Sequence, residues 1–371
     1  MSNIAMANSQ QQTSLQIDPI FVDSEKGYAP QDLARQYHFP DNLGEGQTVG
    51  IIALGGDFSP EDLAIFCTKF NLPLPNIHTI GQVPEQVQSS PMADQETNLD
   101  IQTVVGMVPN AKIALYYGAN FLDAFQAVLD DNKHQPEVIF TCWAIGEKYL
   151  SRREKQQLQT QVQALSLRGI TLLASSGDEG IYQSQLNARK PARGVNLPAG
   201  FEQVIACGGT TLHSNGFEEV WSEGQFISGG SFSNLTTAPA FQQPALANYT
   251  AQHPNLRFTT LATPDMSINA SKIHSSVMVH HGKTCKAWGT SVATPLLAGL
   301  ITRLNTALGD NLGDINPLLY QLMGTKAFNN NIPGNNGFPA ASGWDPCTGL
   351  GSPHGKNLLN AIRALKKLEK K

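Results

Sequence analysis

Residues 47–54 read QTVGIIAL and are followed by Gly55-Gly56. A nearly continuous β-branched and aliphatic run of this length, stopped by glycines, is the pattern of a strand buried on both faces of a parallel sheet. Ser59-Pro60-Glu61-Asp62 then opens a helix. Ser59 is placed to cap it, Pro60 suits its first turn, and Asp62 is placed to reach back and close a capping box. The alternation continues: strands are expected over 111–117, 138–143 and 170–175, with a polar-faced helix carrying Leu158, Val162 and Leu165 before the last of them. Strand and helix in strict alternation imply an α/β fold with a mostly parallel central sheet and helices on both faces.

Outward from that core the pattern weakens. After 204–212 (VIACGGTTL), Gly-, Ser- and Thr-rich segments run to about residue 286 and are expected to form surface loops and irregular strands over a substrate-sized groove. Residues 1–27 are polar and Gln/Ser-rich, which predicts a flexible N-terminal arm, and 28–371 then make a single domain without internal repeat or linker.

The 371 residues, 41% hydrophobic, suffice for one large core without disulfides. A formal charge of −5 gives no field for nucleic acid, and the basic run Lys366, Lys367, Lys370, Lys371 reads as a solvated helix end. No apolar run is long enough to span a bilayer and no signal-peptide pattern is present, so neither membrane nor nucleic acid is an expected partner and the chain as it stands reads as cytoplasmic. Five cysteines, widely spaced and without CxxC, predict neither a structural zinc site nor a complete disulfide framework. Most are expected as small buried hydrophobes.

The chemistry centres on residues 288–300, WGTSVATPLLAGL. Gly289 frees the backbone for a tight turn, Thr290 is placed to cap, and the apolar residues from Pro295 onward anchor a helix, so Ser291 sits where unpaired N–H groups cluster. It is either part of an ordinary Ser/Thr helix N-cap or a nucleophile. In the helix expected over 92–108, Glu96 and Asp100 are four apart and stack on one face, beside the stripe of Ile101, Val104, Val105 and Val108. They are either two solvated carboxylates or a pair sharing a proton. Asp178, in SSGDEG at 175–180, follows a predicted strand, where open α/β sheets bind their ligands. It is either turn chemistry or part of a site. No histidine lies at a strand-to-helix junction, and His280-His281, in a variable-looking loop, has no further metal ligands at usable spacing. A nucleophilic Ser291 would therefore need a carboxylate to activate it.

Glu96-Thr97-Asn98-Leu99-Asp100, Ser176-Gly177-Asp178 and Gly289-Thr290-Ser291 with Pro295 resemble the three signature segments of the sedolisins, or serine-carboxyl peptidases. The resemblance runs from Tyr28 to about Leu365 and includes 46–52 (GQTVGII), 195–199 (VNLPA), 207–211 (CGGTT), Ser228-Gly229-Gly230 and 343–353 (GWDPCTGLGSP), in order. It implies a three-layer subtilisin-like fold. It further implies a monomeric serine-type endopeptidase, or a tripeptidyl exopeptidase, cleaving peptide or protein substrates in acid. In that scheme Ser291 attacks the carbonyl, Glu96 takes and returns its proton, Asp100 hydrogen-bonds Glu96, and Asp178 donates to the oxyanion. The alternative is a catalytically weak or inactive relative that binds peptides. An esterase is disfavoured because no GxSxG surrounds Ser291.

The resemblance also implies one Ca2+ site in the loop region about 326–353. Asp345 would be one ligand, the carbonyls of Ala341 and Gly343 others, and Asn330, or with a shifted alignment Asn331, would stand where relatives have a second Asp. Losing that charge should weaken the site. Three further departures stand out: Ala53 where some relatives have a glutamate, Trp288 where a second glycine is usual, and no long N-terminal prodomain, which implies a processed form or a different folding route. The family is mostly secreted or lysosomal, unlike the compartment read from this chain alone.

Overall fold

The computed structural model describes residues 27–82, 90–184 and 192–369. The expected arm over 1–27 lies outside them except for Gly27, as do Lys370 and Lys371. The main strands are β1 (Thr48–Ala53), β2 (Ile77–Ile80), β3 (Lys112–Tyr117), β4 (Val138–Thr141), β5 (Thr171–Ser175), β6 (Val204–Leu212), β7 (Glu218–Val220) and β8 (Met266–Asn269). They lie in the order β8-β6-β5-β4-β1-β3-β2, and β7 pairs with the end of β6. Every pairing along this path is parallel; only β7 runs antiparallel.

The alternation of side chains across the pleat explains the layers. Val49 and Ile51 of β1 and Ile113 and Leu115 of β3 enter one core, while Ile52, Ala114 and Tyr116 enter the other. The first core is covered by α1 (Pro30–Gln36), α2 (Pro60–Lys69), α3 (Pro91–Met107) and, further along, the long helix Thr290–Leu308 and the last helix Gly355–Glu369. The second is covered by α4 (Phe121–Asp130) and α5 (Arg152–Leu167), through Phe125, Val128, Leu158 and Val162. Helices on both faces of a mostly parallel sheet are the expected architecture. No described helix is long and apolar enough to cross a membrane.

Several local expectations need correction. Ser59 caps α2 through Asp62 N (3.0 Å), but Asp62 does not close the box. Its carboxylate accepts from His281 N (2.8 Å) and Gly282 N (2.7 Å), at the turn of a hairpin made by Ser276–His280 and Lys283–Ala287. The stretch around His280-His281 is thus a packed hairpin with His280 buried, not a variable loop. Residues 213–286 also hold more regular structure than their composition suggests, including a helix, α6 (Gln243–Gln252), whose Leu246 and Tyr249 are buried. The long helix Thr290–Leu308 is labelled α7 below.

Candidate active site

Three segments meet at the carboxyl end of the sheet. β5 leads into Ser176-Gly177-Asp178, β4 into Cys142, and α7 starts at Thr290. The loop holding Asp178 is pinned from one side by Ile227 N donating to Asp178 O (2.9 Å) and Gly229 N to Gly177 O (2.7 Å). From the other side, Thr290 donates through its N (2.9 Å) and its Oγ1 (2.6 Å) to Asp178 Oδ1. Thr290 is therefore the first helical residue and not the cap. The Asp178 carboxyl fills that role from another part of the chain, next to the positive end of the helix dipole.

Gly289, the residue before the helix, has φ +97°, and a Cβ there would lie 2.9 Å from Asp178 Oδ2. Both facts require glycine. Gly289→Ala is expected to destabilise the fold by about 1–3 kcal/mol, read from denaturant unfolding; a variant as stable as the parent would show that the turn relaxes freely.

Ser291 follows, in the first turn of α7. Val292 N and Ala293 N both return to Gly289 O, at 3.0 and 3.3 Å, while the Ser291 N–H meets no acceptor among the described residues. Pro295, four residues on, has no N–H to give the Ser291 carbonyl. The Cys142 thiol donates to that carbonyl instead, at 3.3 Å. A helix-interior proline thus explains a thiol contact.

Glu96 and Asp100 lie on α3, which is buried on nearly every face, so they are not two solvated carboxylates on an amphipathic helix. Its polar side chains are tied down: Gln102 exchanges two bonds with Val279 (2.8 and 2.7 Å), and Asn98 Nδ2 donates to Asp94 O and Asp57 O. Glu96 and Asp100 approach Cys142 with one ligand atom each, all within 4.8 Å of one another. Asp100 is fully buried, and among the described residues neither its oxygens nor Glu96 Oε1 meets a donor, the nearby Cys142 thiol being turned to the Ser291 carbonyl. Glu96 and Asp100 are thus neighbouring acceptors, with no donor from the described residues between them.

The electrostatics follow from burial. Desolvation raises the Glu96 carboxyl to about 7, the Ser291 hydroxyl pulls it down, and the charge of Asp178 pushes it up. Asp100 is raised well above the usual carboxylate range by burial and then by the charge of Glu96. Asp178 is raised by burial against the pull of the Thr290 bonds. Glu96 is thus within electrostatic reach of both the Ser291 hydroxyl and the Asp178 carboxyl.

Cys142 and Thr290 are the contributors that sequence reasoning missed as site residues; their signal was position, one just after a parallel strand and one just before the serine. Trp288 packs edge-to-face on Phe226, ring centroids 4.4 Å apart. Ala53 is fully buried, and the Trp143 ring nitrogen is buried without an acceptor among the described residues. A surface hollow lined by Glu45, Gln47, Asn305 and Asp310 lies at the far end of α7 and contains none of this chemistry.

The other predicted loop is separate. Asp345 is buried, and its Oδ1 accepts from Cys347 N (2.8 Å) and Thr348 N (2.9 Å), its Oδ2 from Ala341 N (3.1 Å). Burial raises its carboxyl to about 6 against those donors. The Ser342 carbonyl takes Asn248 Nδ2 and Gln252 Nε2, both at 2.8 Å, whereas the flanking Ala341 and Gly343 carbonyls receive no donor from the described residues. Asn330 is half-buried and Asn331 exposed.

A sequence profile of the subtilase family matches residues 81–344. Kumamolisin of Bacillus sp. (strain MN-32) is 32% identical over 356 residues, 90% of this chain and 63% of that protein. Tripeptidyl-peptidase 1 of Bos taurus is 27% identical over 376 residues, 93% of this chain and 66% of that protein. The chain thus spans just under two thirds of the length of these curated relatives. Among solved structures, Pseudomonas sedolisin, described as a serine-carboxyl proteinase complexed with two molecules of pseudo-iodotyrostatin, superposes with a TM-score of 0.78 and 27% identity over 92% of this chain and 99% of that one. The three-layer, subtilisin-like architecture implied by the sequence is thereby shown. The chain belongs to the subtilase family and, within it, to the sedolisins.

Proposed function

We propose that this chain is a serine-carboxyl endopeptidase that cleaves extended peptides in acid, with Ser291, Glu96, Asp100 and Asp178 as its chemical groups. What supports the reading is that Glu96 feels both the Ser291 hydroxyl and the Asp178 charge, while Asp178 Oδ1 accepts twice from Thr290, the residue before Ser291. An oxygen that accepts twice leaves the carboxyl proton to Oδ2, on the Gly289 side. Protonated Asp178 and the unengaged Ser291 N–H then form a two-donor oxyanion hole at the mouth of the helix. Glu96 accepts the Ser291 proton and returns it to the leaving amine. Asp100, with no donor of its own and a carboxyl raised further than a lone buried acid, holds the proton the pair shares, so that Glu96 is the member that ionises. Names of relatives that include tripeptidyl-peptidases make three-residue removal the competing mode. Mass-spectrometric mapping of products from an extended peptide library, over a series of pH values from about 4 to 7, tests both: internal cuts are expected, successive loss of N-terminal tripeptides would reassign the mode, and no cleavage at any of them would leave a peptide-binding protein.

We further propose that the Asp345 loop holds Ca2+ weakly. One carboxylate, the Ala341 and Gly343 carbonyls without donors, and an amide oxygen of Asn330 or Asn331 suit a hard cation, with too little charge for tight binding. With a Kd of about 10⁻⁴–10⁻³ M, 10 mM calcium should add about 1–3 kcal/mol of stability. The gain should vanish in Asp345→Asn; a melt indifferent to calcium would reject the site.

A further inference from the structure

Among the described residues, one group of three His, Cys, Asp or Glu side chains comes close enough to share an ion: Glu96, Asp100 and Cys142, with ligand atoms within 4.8 Å of one another. The group is more than an acidic cluster. Asp100 is fully buried with both oxygens lacking a donor, and Glu96 Oε1 is buried and unmet beside it. Buried acceptors without donors call for a proton, a water or a cation. The peptidase chemistry uses the proton, and the donor set equally suits a particular kind of cation.

Two carboxylates with one thiol mix hard and soft ligands. Calcium and magnesium, which build shells of oxygen alone, gain nothing from the sulfur, whereas zinc and the thiophilic ions of its class do. Zinc–oxygen bonds of about 2.0–2.2 Å and a zinc–sulfur bond of about 2.3 Å put tetrahedral ligand atoms roughly 3.5 Å apart. The present spacing closes to that with side-chain shifts of about 1 Å, and Glu96, partly exposed, offers both the freedom to move and the route of entry.

We propose that Glu96, Asp100 and Cys142 form a site for a thiophilic divalent cation of the zinc class, and that its occupation silences the peptidase by engaging the general base. On binding, the Cys142 thiol proton and any proton held by the carboxyl pair leave to solvent, and three ligands with an open fourth position complete the shell. Glu96, its charge committed to the cation, is then too weak a base for Ser291. The Ser291 carbonyl also loses its thiol donor. The silencing rests on the serine-carboxyl peptidase reading, while the binding does not.

The test titrates the full chain with cadmium chloride, then zinc chloride, with magnesium chloride as control. It reads the ultraviolet cadmium–thiolate absorption and, separately, peptide hydrolysis. Cadmium is expected to produce the band at about one equivalent, hydrolysis to fall in step, and magnesium to do neither. Cys142→Ser and Asp100→Asn should each weaken the binding at least about tenfold. Should Cys142→Ser fail to fold, Asp100→Asn and Glu96→Gln keep the thiol and change only the oxygen donors. A titration unaltered in these variants, as metal on surface histidines or another cysteine would give, overturns the proposal, and so does the absence of any band. A band with undiminished hydrolysis overturns the silencing. A band that depends on Cys142 in a protein that hydrolyses nothing supports the site and rejects the peptidase reading.

Discussion

Ser291→Ala is expected to lower kcat for peptide hydrolysis by about 10⁵–10⁶-fold, and Glu96→Gln by nearly as much, with the double variant no worse than either alone. The non-additivity follows from the geometry. Glu96 acts only on the Ser291 hydroxyl, so once either partner is gone the other has nothing to do. Folding should survive in Ser291→Ala, because the start of α7 is held by Thr290 and Asp178, not by the serine side chain. Asp178→Ala should cost about 10²–10³-fold, the value of one oxyanion donor, and some stability through the lost cap. Asp178→Asn keeps an acceptor for Thr290 and gains a donor that does not titrate. It should recover part of the rate and lose the decline toward neutral pH. Additive losses in the double variant would mean that Ser291 and Glu96 work independently, against the proposed proton transfer.

The protein is expected to be most stable in acid and to lose on the order of 5 kcal/mol of unfolding free energy between about pH 4 and pH 8. The sign follows from several buried carboxyls. Desolvation raises Glu96 to about 7, Asp265 to about 7 and Asp345 to about 6, and lifts Asp100 and Asp178 as well. Each titrates near 4 in the unfolded chain, so the folded state binds more protons in between. Its advantage is complete below about pH 4 and drains away as the pH rises through the folded values. Asp265 illustrates the cause: although it accepts from Ala206 N (2.8 Å) and the Tyr320 hydroxyl (2.7 Å), it is buried, and no cation among the described residues offsets that. Denaturant titrations in chelator at a series of pH values check this, and Asp265→Asn should flatten part of the slope. Stability that rises from pH 4 to 7 would contradict it.

The parts of the fold legible in the sequence were those where one local rule operates without competition. QTVGIIAL is buried on both faces, and nothing but a central parallel strand accommodates it. The carboxylate pair on α3 followed from helical spacing, and Asp178 from its place after a parallel strand. What stayed hidden depends on partners distant in the chain. Asp62 looked like half of a capping box, but two backbone N–H groups more than 200 residues away hold it more firmly. Thr290 looked like a cap because the true acceptor, Asp178, is 112 residues earlier. Cys142 looked like core filler; only the missing N–H of Pro295, seen in three dimensions, explains why its thiol faces Ser291. The helix Gln243–Gln252 escaped because its composition is that of a loop and its burial comes from long-range packing.

The central claim, a serine activated by a carboxylate while a second carboxyl stays protonated, is tested most directly by the pH dependence of kcat/KM on a peptide whose own groups do not titrate in the range. With Asp178 protonated its push on Glu96 is absent, so the Glu96–Asp100 pair loses its first proton below about 7; the rate should rise there, peak below neutrality, and fall as Asp178 loses its own proton. A plateau extending to a maximum near pH 8 would contradict it, because at that pH Asp178 could no longer donate and only a base of another kind could be at work.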